Sequence, residues 1–320
     1  MGDNTGVMSG DSRPPRDLSN STGVSGAGSA VVGRVPAPLV FVVSAFSQYL
    51  GAGLAVSLFS LMPSTTVAWW RLVVGATVLM ALRRPWRRSW TRKALVLAAA
   101  FGTATATMNV IFYAAISLIP LGTVVSLEFL GPVVVAAITG RGWRPRCAAV
   151  LALLGVVSIS GLGVDLSGPE QRTGVVLALA AGVAWAGYIL LGRRVASAGA
   201  GVDSLAVGMV FGALVYAPFA VGAAAGALTS VRSAVMALGV GLLSTAVPYG
   251  LDQVVLKRLG TDTFALLSSL MPATSMLVGV VVLGQLPSGW EVIGLVLVSV
   301  AVALASADGR APRPRHPECR

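Results

Sequence analysis

The sequence predicts an all-α integral membrane protein whose ten transmembrane helices form two inverted five-helix repeats. Three observations lead there. The 320 residues are 55% hydrophobic and only 11% charged, with a mean hydropathy of +0.83, whereas a soluble domain carries roughly 25% charged residues. The apolar residues gather in runs long enough to cross about 30 Å of hydrocarbon. The basic residues alternate between those runs: twenty of the 23 Lys and Arg fall in one alternating set of connections, Arg172 and Arg232 in the other, and Arg71 inside a run.

Lys and Arg collect in cytoplasmic loops during insertion, so this alternation supports an even number of spans with both termini in the cytoplasm. The net charge of +11 is then a sign of topology, and no nucleic-acid partner is expected. The protein is placed in the inner (plasma) membrane as a multi-pass chain, with the lipid bilayer as its first partner.

Residues 1–36 are rich in Gly, Ser, Asp and Pro, too polar to bury a core, and are predicted to be a disordered cytoplasmic tail without a secretory leader. The spans follow at 38–59, 65–82, 94–116, 121–140, 147–164, 174–192, 204–223, 233–256, 262–284 and 289–306. Helices one to five make a first repeat over 37–164 and helices six to ten a second over 172–306; residues 307–320 are a basic cytoplasmic tail. The repeat is visible locally. LIPLGTVVSLEFLGP (118–132) and LKRLGTDTFALLSSLMP (256–272) both run from Leu-Gly-Thr through hydroxyl residues to a proline. Five helices per half make the second half enter from the opposite side, and inverted repeats place a transporter's site near the midplane.

Several chemistries are excluded. His316 is the only histidine, and Cys147 and Cys319 are the only cysteines. A Ser-His-Asp triad, an HExxH zinc site, a haem ligand set and a disulfide framework all lack members. Neither Lys93 nor Lys257 belongs to a GxxxxGK[ST] phosphate loop. No metal, cofactor or enzymatic activity is expected.

The segments PLGTVVSLEFLGPVVVA (120–136), GVAWAGYILLGRRV (182–195) and LLSTAVPYGLDQVVLKRLGTDTFALLSSLMPA (242–273) resemble the drug/metabolite transporter superfamily, and within it the EamA-type branch of threonine/homoserine exporters. The resemblance covers about residues 38–306. It implies two inverted EamA repeats and efflux of small neutral amino acids, driven by proton exchange, so that an amino acid and protons become partners. The chain departs from the family pattern twice. Met271 stands where an acidic residue usually precedes the proline of the ninth helix, and Gly284-Gln285 replaces the usual Gly-Glu at its end. Whatever those carboxylates do in relatives is not carried over.

Candidate site residues are polar groups inside spans. Glu128 lies about seven residues, roughly 10 Å, into the fourth helix, and Arg71 lies at a similar depth in the second. A charge near a helix centre costs about 2.5–3.5 kcal/mol on insertion scales, so the two are expected to face a cavity or each other. Two readings stand side by side: an ion pair that locks two helices, or a pair that meets the substrate or a coupling proton. Gln48, Asn109, Tyr113, Trp185, Tyr188, Tyr249, Asp252 and Ser268 complete the candidate substrate or coupling set. Pro132 and Pro272 are candidate hinges, because proline cannot donate to the carbonyl four residues back, here that of Glu128 and of Ser268. Gly208 and Gly212 form a GxxxG pair whose ordinary meaning is close helix packing.

Alternating access would rock one repeat against the other. A multidrug or other metabolite exporter of the same fold is the alternative cargo reading. A non-transporting scaffold or an intramembrane enzyme is the alternative of another class. A second copy of the chain, as a homodimer, is a further partner that the sequence leaves open.

Overall fold

A computed structural model describes residues 35–140, 142–159, 166–197, 201–252, 255, 258, 264 and 267–307. Both tails, Lys257 and the Gly260-Thr261 element of the second repeat signature lie outside these described residues. Among the described residues the structure is helical throughout: α1 (Ala37–Leu58), α2 (Ser64–Arg83), α3 (Arg92–Ile116), α4 (Leu121–Glu128), α5 (Leu130–Thr139), α6 (Arg144–Val157), α7 (Pro169–Ser197), α8 (Gly201–Ala224), α9 (Val231–Gly241), α10 (Met271–Leu283) and α11 (Gly289–Ala307). Eight stretches are long and apolar enough to cross a membrane, counting Leu121–Thr139 and Val231–Asp252 as single spans. The fifth and ninth expected spans are shorter among the described residues: α6 has 14 residues, and Ser268–Leu283 is the described part of the ninth.

Helix ends follow local chemistry. Thr91 caps α3 by accepting the Ala94 N–H at 3.2 Å, and Ser230 caps α9 by accepting that of Ser233 at 3.1 Å. The α4–α5 break falls at Phe129, three residues before Pro132, where the missing proline N–H leaves the Glu128 carbonyl without its helical donor. In α9 the helix widens into a π turn over Leu242–Ala246 before Pro248.

Large apolar side chains such as Val96, Ile138, Phe219 and Val231 are exposed, while the buried set is dominated by alanine and other small residues. This is the inside-out economy of a bilayer protein, where small interfacial residues let helices approach. The GxxxG pair behaves so: a methyl on Gly208 would meet the Ala98 carbonyl at 2.6 Å, and one on Gly212 the Gly102 carbonyl at 2.9 Å, so α8 lies backbone-to-backbone on α3. One apolar cluster joins α2, α3 and α8 through Leu72, Phe101, Leu205 and Met209. A larger one runs through α1, α3, α4, α6, α7 and α11.

Contacts sort the connections onto two ends. At one end Asp203 of α8 accepts from Arg83 of α2 at 3.1 Å and lies 3.9 Å from Arg88; this is the basic end. At the other, the α3–α4 turn packs on Gly174 of α7, and the N–H of Leu121, which follows that turn, donates to Gln285. Half-exposed ion pairs contribute little. Asp203→Asn is therefore expected to lower stability by less than about 1 kcal/mol, as read from denaturant titration in micelles.

Candidate functional site

Arg71 of α2 is the centre of the polar interior. Its Nε donates to Thr245 Oγ1 at 3.2 Å and an Nη donates to the Ser244 carbonyl at 3.0 Å. Its guanidinium also lies over the Tyr113 ring, 5.5 Å from the centroid. The Ser244 carbonyl is available because Pro248, four residues on, has no N–H to give it, within a helix already widened by the π turn. Three glycines bring that turn close. A methyl on Gly51 would meet the Ser244 backbone nitrogen at 2.7 Å, one on Gly75 would meet Thr245 Cγ2 at 2.7 Å, and Gly241 abuts Val74.

Glu128 ends α4 and is buried. No salt bridge within 4.0 Å joins it to Arg71 among the described residues. The two nevertheless lie within electrostatic reach of each other and of the buried Tyr49. The Glu128 carbonyl, released by Pro132, is packed against Gly182 of α7, where a methyl would come within 2.8 Å. Beside it the Phe129 and Trp185 rings meet edge to face at 4.7 Å. The Tyr113 hydroxyl is buried without a hydrogen-bond partner. Buried polar atoms are nearly always satisfied by protein, water or ligand. Arg71, Glu128, Tyr49, Tyr113 and Trp185 thus share one region of the bundle, with the cation held by the π turn of α9 and the carboxylate without an ion-pair partner among the described residues.

A second group lies toward the basic end. Asp252 accepts from Ser44 at 2.6 Å, and the same hydroxyl lies 3.2 Å from the Pro248 carbonyl, joining α1 to the extension of α9. Tyr188 stacks on Phe101 at 4.9 Å, packs against the same apolar cluster as Tyr249, and both tyrosines lie within electrostatic reach of Asp252.

Other expected residues are not drawn in. The Asn109 amide donates to its own helix at the Thr105 carbonyl, 2.8 Å away, and Ser268 Oγ donates to the Phe264 carbonyl at 3.0 Å. The half-buried Gln48 is engaged through its backbone, whose carbonyl accepts from Ser244 Oγ at 3.3 Å. One expectation is corrected. Pro272 does not leave the Ser268 carbonyl free, because the helix tightens to a 3₁₀ turn over Ser268–Leu270 and the Met271 N–H donates to that carbonyl instead. Among the described residues no cluster of three His, Cys, Asp or Glu could hold a metal.

The structure adds residues that sequence reading passed over. Pro248 in VPYG carried the same signal as Pro132. Glu291 is buried in the first turn of α11, and its signal is the Ser288-x-x-Glu291 capping box. It accepts from Thr123 of α4 and from the Ser288 N–H at 2.8 Å. Gln285 accepts from the Leu121 N–H at 3.1 Å.

Comparison with known proteins agrees with this architecture. Residues 172–307 match the EamA-like transporter family. The threonine/homoserine exporter RhtA of Salmonella typhimurium (strain LT2) is 37% identical over 263 residues, 82% of this chain and 88% of that protein. Its namesake from Escherichia coli (strain K12) is 38% identical over 249 residues, 78% and 84% of the two chains. A crystal structure at 21% identity superimposes with a TM-score of 0.55, covering 84% of this chain and 96% of the other, and supports the fold. These relatives are transporters and not enzymes, and the chain belongs to the EamA-like transporter family, in its RhtA branch.

Proposed function

We propose that this protein exports small neutral amino acids of the threonine/homoserine kind across the inner membrane, in exchange for protons, by alternating access between inverted repeats at 37–164 and 172–306. The positive-inside pattern of the sequence supports both termini lying in the cytoplasm. The single observation that carries the reading is a pair of opposite charges in the bundle interior, the buried Glu128 and the half-buried Arg71, with no salt bridge between them among the described residues.

A zwitterion carries both charges on neighbouring atoms, and a site of matching polarity recognises it. Glu128 receives the substrate ammonium or, in its absence, the coupling proton. Arg71, held by Ser244 and Thr245, presents its remaining donors to the substrate carboxylate. Tyr49 and Tyr113 border the pair, Trp185 packs on Phe129 beside Glu128, and the kink before Pro132 serves as a hinge. Asp252, Tyr188 and Tyr249 form a second polar station toward the cytoplasm. Relatives named as threonine/homoserine exporters support the substrate class.

Counterflow in proteoliposomes with a panel of labelled amino acids, with and without a pH gradient, tests this directly. Saturable exchange of threonine and homoserine that responds to the gradient is expected. Flux of bulky cations or drugs with no amino-acid exchange overturns it in favour of multidrug export, and absence of any flux favours a scaffold. Arg71→Ala is expected to slow threonine exchange about tenfold or more, the effect of losing one charge-assisted hydrogen bond. Arg71→Lys is expected to recover little, because a point ammonium cannot hold Ser244, Thr245 and a carboxylate with one planar fork.

A further inference from the structure

The eight residues of α4 are tied at their far end to the second half of the chain by two side chains, and the tie has no role in the site just described. The first is Gln285. Gly284 turns the chain sharply with φ +66°, and the Gln285 N–H closes the α10 terminus on the Gly279 carbonyl at 3.0 Å. With its backbone so fixed, Gln285 aims its side-chain oxygen at the Leu121 N–H, 3.1 Å away. That N–H is one of the first-turn donors that a helix cannot satisfy internally. The second is Glu291, a carboxylate only 7% exposed. One oxygen accepts from the Ser288 N–H, and the other from Thr123 Oγ1. Between the two ties Gly122 lies against α10, where a methyl would come within 2.9 Å of Met276 Cα.

At its other end α4 carries Glu128 and passes into α5 through Phe129, where helical bonds continue on either side but Pro132 leaves the Glu128 carbonyl without its donor. It is therefore a short rod pinned at one end, with a weakened joint at the other. We infer that Thr123, Gln285 and Glu291 form a latch that closes the far end of the transport path and positions Glu128 through α4; release of the Thr123–Glu291 bond lets α4 swing about Phe129 and opens a route to Glu128 from that side. Thr123 and Glu291 are positioning residues, since neither lies beside Arg71 or Glu128. The role rests on the transport reading above, but the latch itself is testable without substrate.

Ser126 lies one turn below Thr123 on the same rod, is 1% exposed, and bonds only its own helix at the Gly122 carbonyl, 2.8 Å away. In a Cys147→Ala, Cys319→Ala background, Ser126→Cys reports opening through its rate of modification by a charged methanethiosulfonate in micelles. Adding Thr123→Val, which keeps size and the Ser288–Glu291 cap, is expected to raise that rate about tenfold. Thr123→Ser, which keeps the hydroxyl, is expected to stay within about twofold of the parent. Equal rates in the Val variant and the parent overturn the latch, as do equal rates in the Val and Ser variants. Glu291→Ala should match Thr123→Val; where it fails to fold for want of its helix cap, the Thr123 pair decides. Failure of the parent to exchange threonine while these rates hold would overturn the functional reading alone.

Discussion

Glu128→Gln is expected to leave a folded protein that exchanges threonine about 100-fold more slowly than the parent. The substitution keeps the shape of the side chain but removes its charge and its exchangeable proton. A hydrogen bond to a charged group contributes about 1.5–3 kcal/mol, and about 1.4 kcal/mol is a factor of ten, so loss of an ammonium contact alone reaches this range. Folding should survive, because Glu128 forms no salt bridge among the described residues whose breakage would strand a partner. Glu128→Asp should fall between the two, with the charge present but withdrawn by one methylene. Exchange in proteoliposomes and the elution profile of the purified variants check both halves of the expectation. Unaltered exchange in Glu128→Gln would assign the carboxylate a packing role only.

The second large effect is on the fold. Gly102 of α3 faces the Gly208 backbone so closely that a β-carbon there would overlap the Gly208 carbonyl. A flexible side chain could move aside, but a backbone in the middle of α8 cannot. Gly102→Val is therefore expected to cost about 3 kcal/mol or more, at or beyond the upper end of ordinary overpacking. Gly187 of α7 meets nothing within 4 Å of its would-be β-carbon. Gly187→Ala is expected to stabilise by roughly 0.5–1 kcal/mol, through reduced freedom of the unfolded chain. Thermal unfolding of the two variants in the same detergent should move in opposite directions. A Gly102→Val protein as stable as the parent would show that the α3–α8 contact is looser than described.

Much of this was legible beforehand because the bilayer imposes simple rules. Spans are read from length and polarity, and Glu128 and Arg71 stood out as charges deep inside otherwise apolar runs. Similar depth and opposite sign were the whole of that signal; which neighbours each side chain faces was not in it. What escaped had a different cause in each case. The partners of Arg71 lie more than 170 positions away, and no local pattern links Arg71 to Ser244. Pro248 was overlooked as a source of a free carbonyl, while Pro272 was credited with one that a 3₁₀ turn had already satisfied. Asn109 and Ser268 looked like ligands because polar atoms in apolar helices attract notice, yet each is satisfied by its own helix. Glu291 drew no notice because an acid in a first helical turn is ordinary dipole chemistry; only its burial and its bond to Thr123 set it apart.

The central claim is that opposite charges on α2 and α4 hold the two ends of one amino acid. Equilibrium binding of radiolabelled threonine to the purified protein in micelles addresses it without assuming a coupling ion or a direction of flux. The account predicts saturable binding by the parent, competition by homoserine, and loss of binding in both Glu128→Gln and Arg71→Ala. Undiminished binding in either folded variant would contradict it.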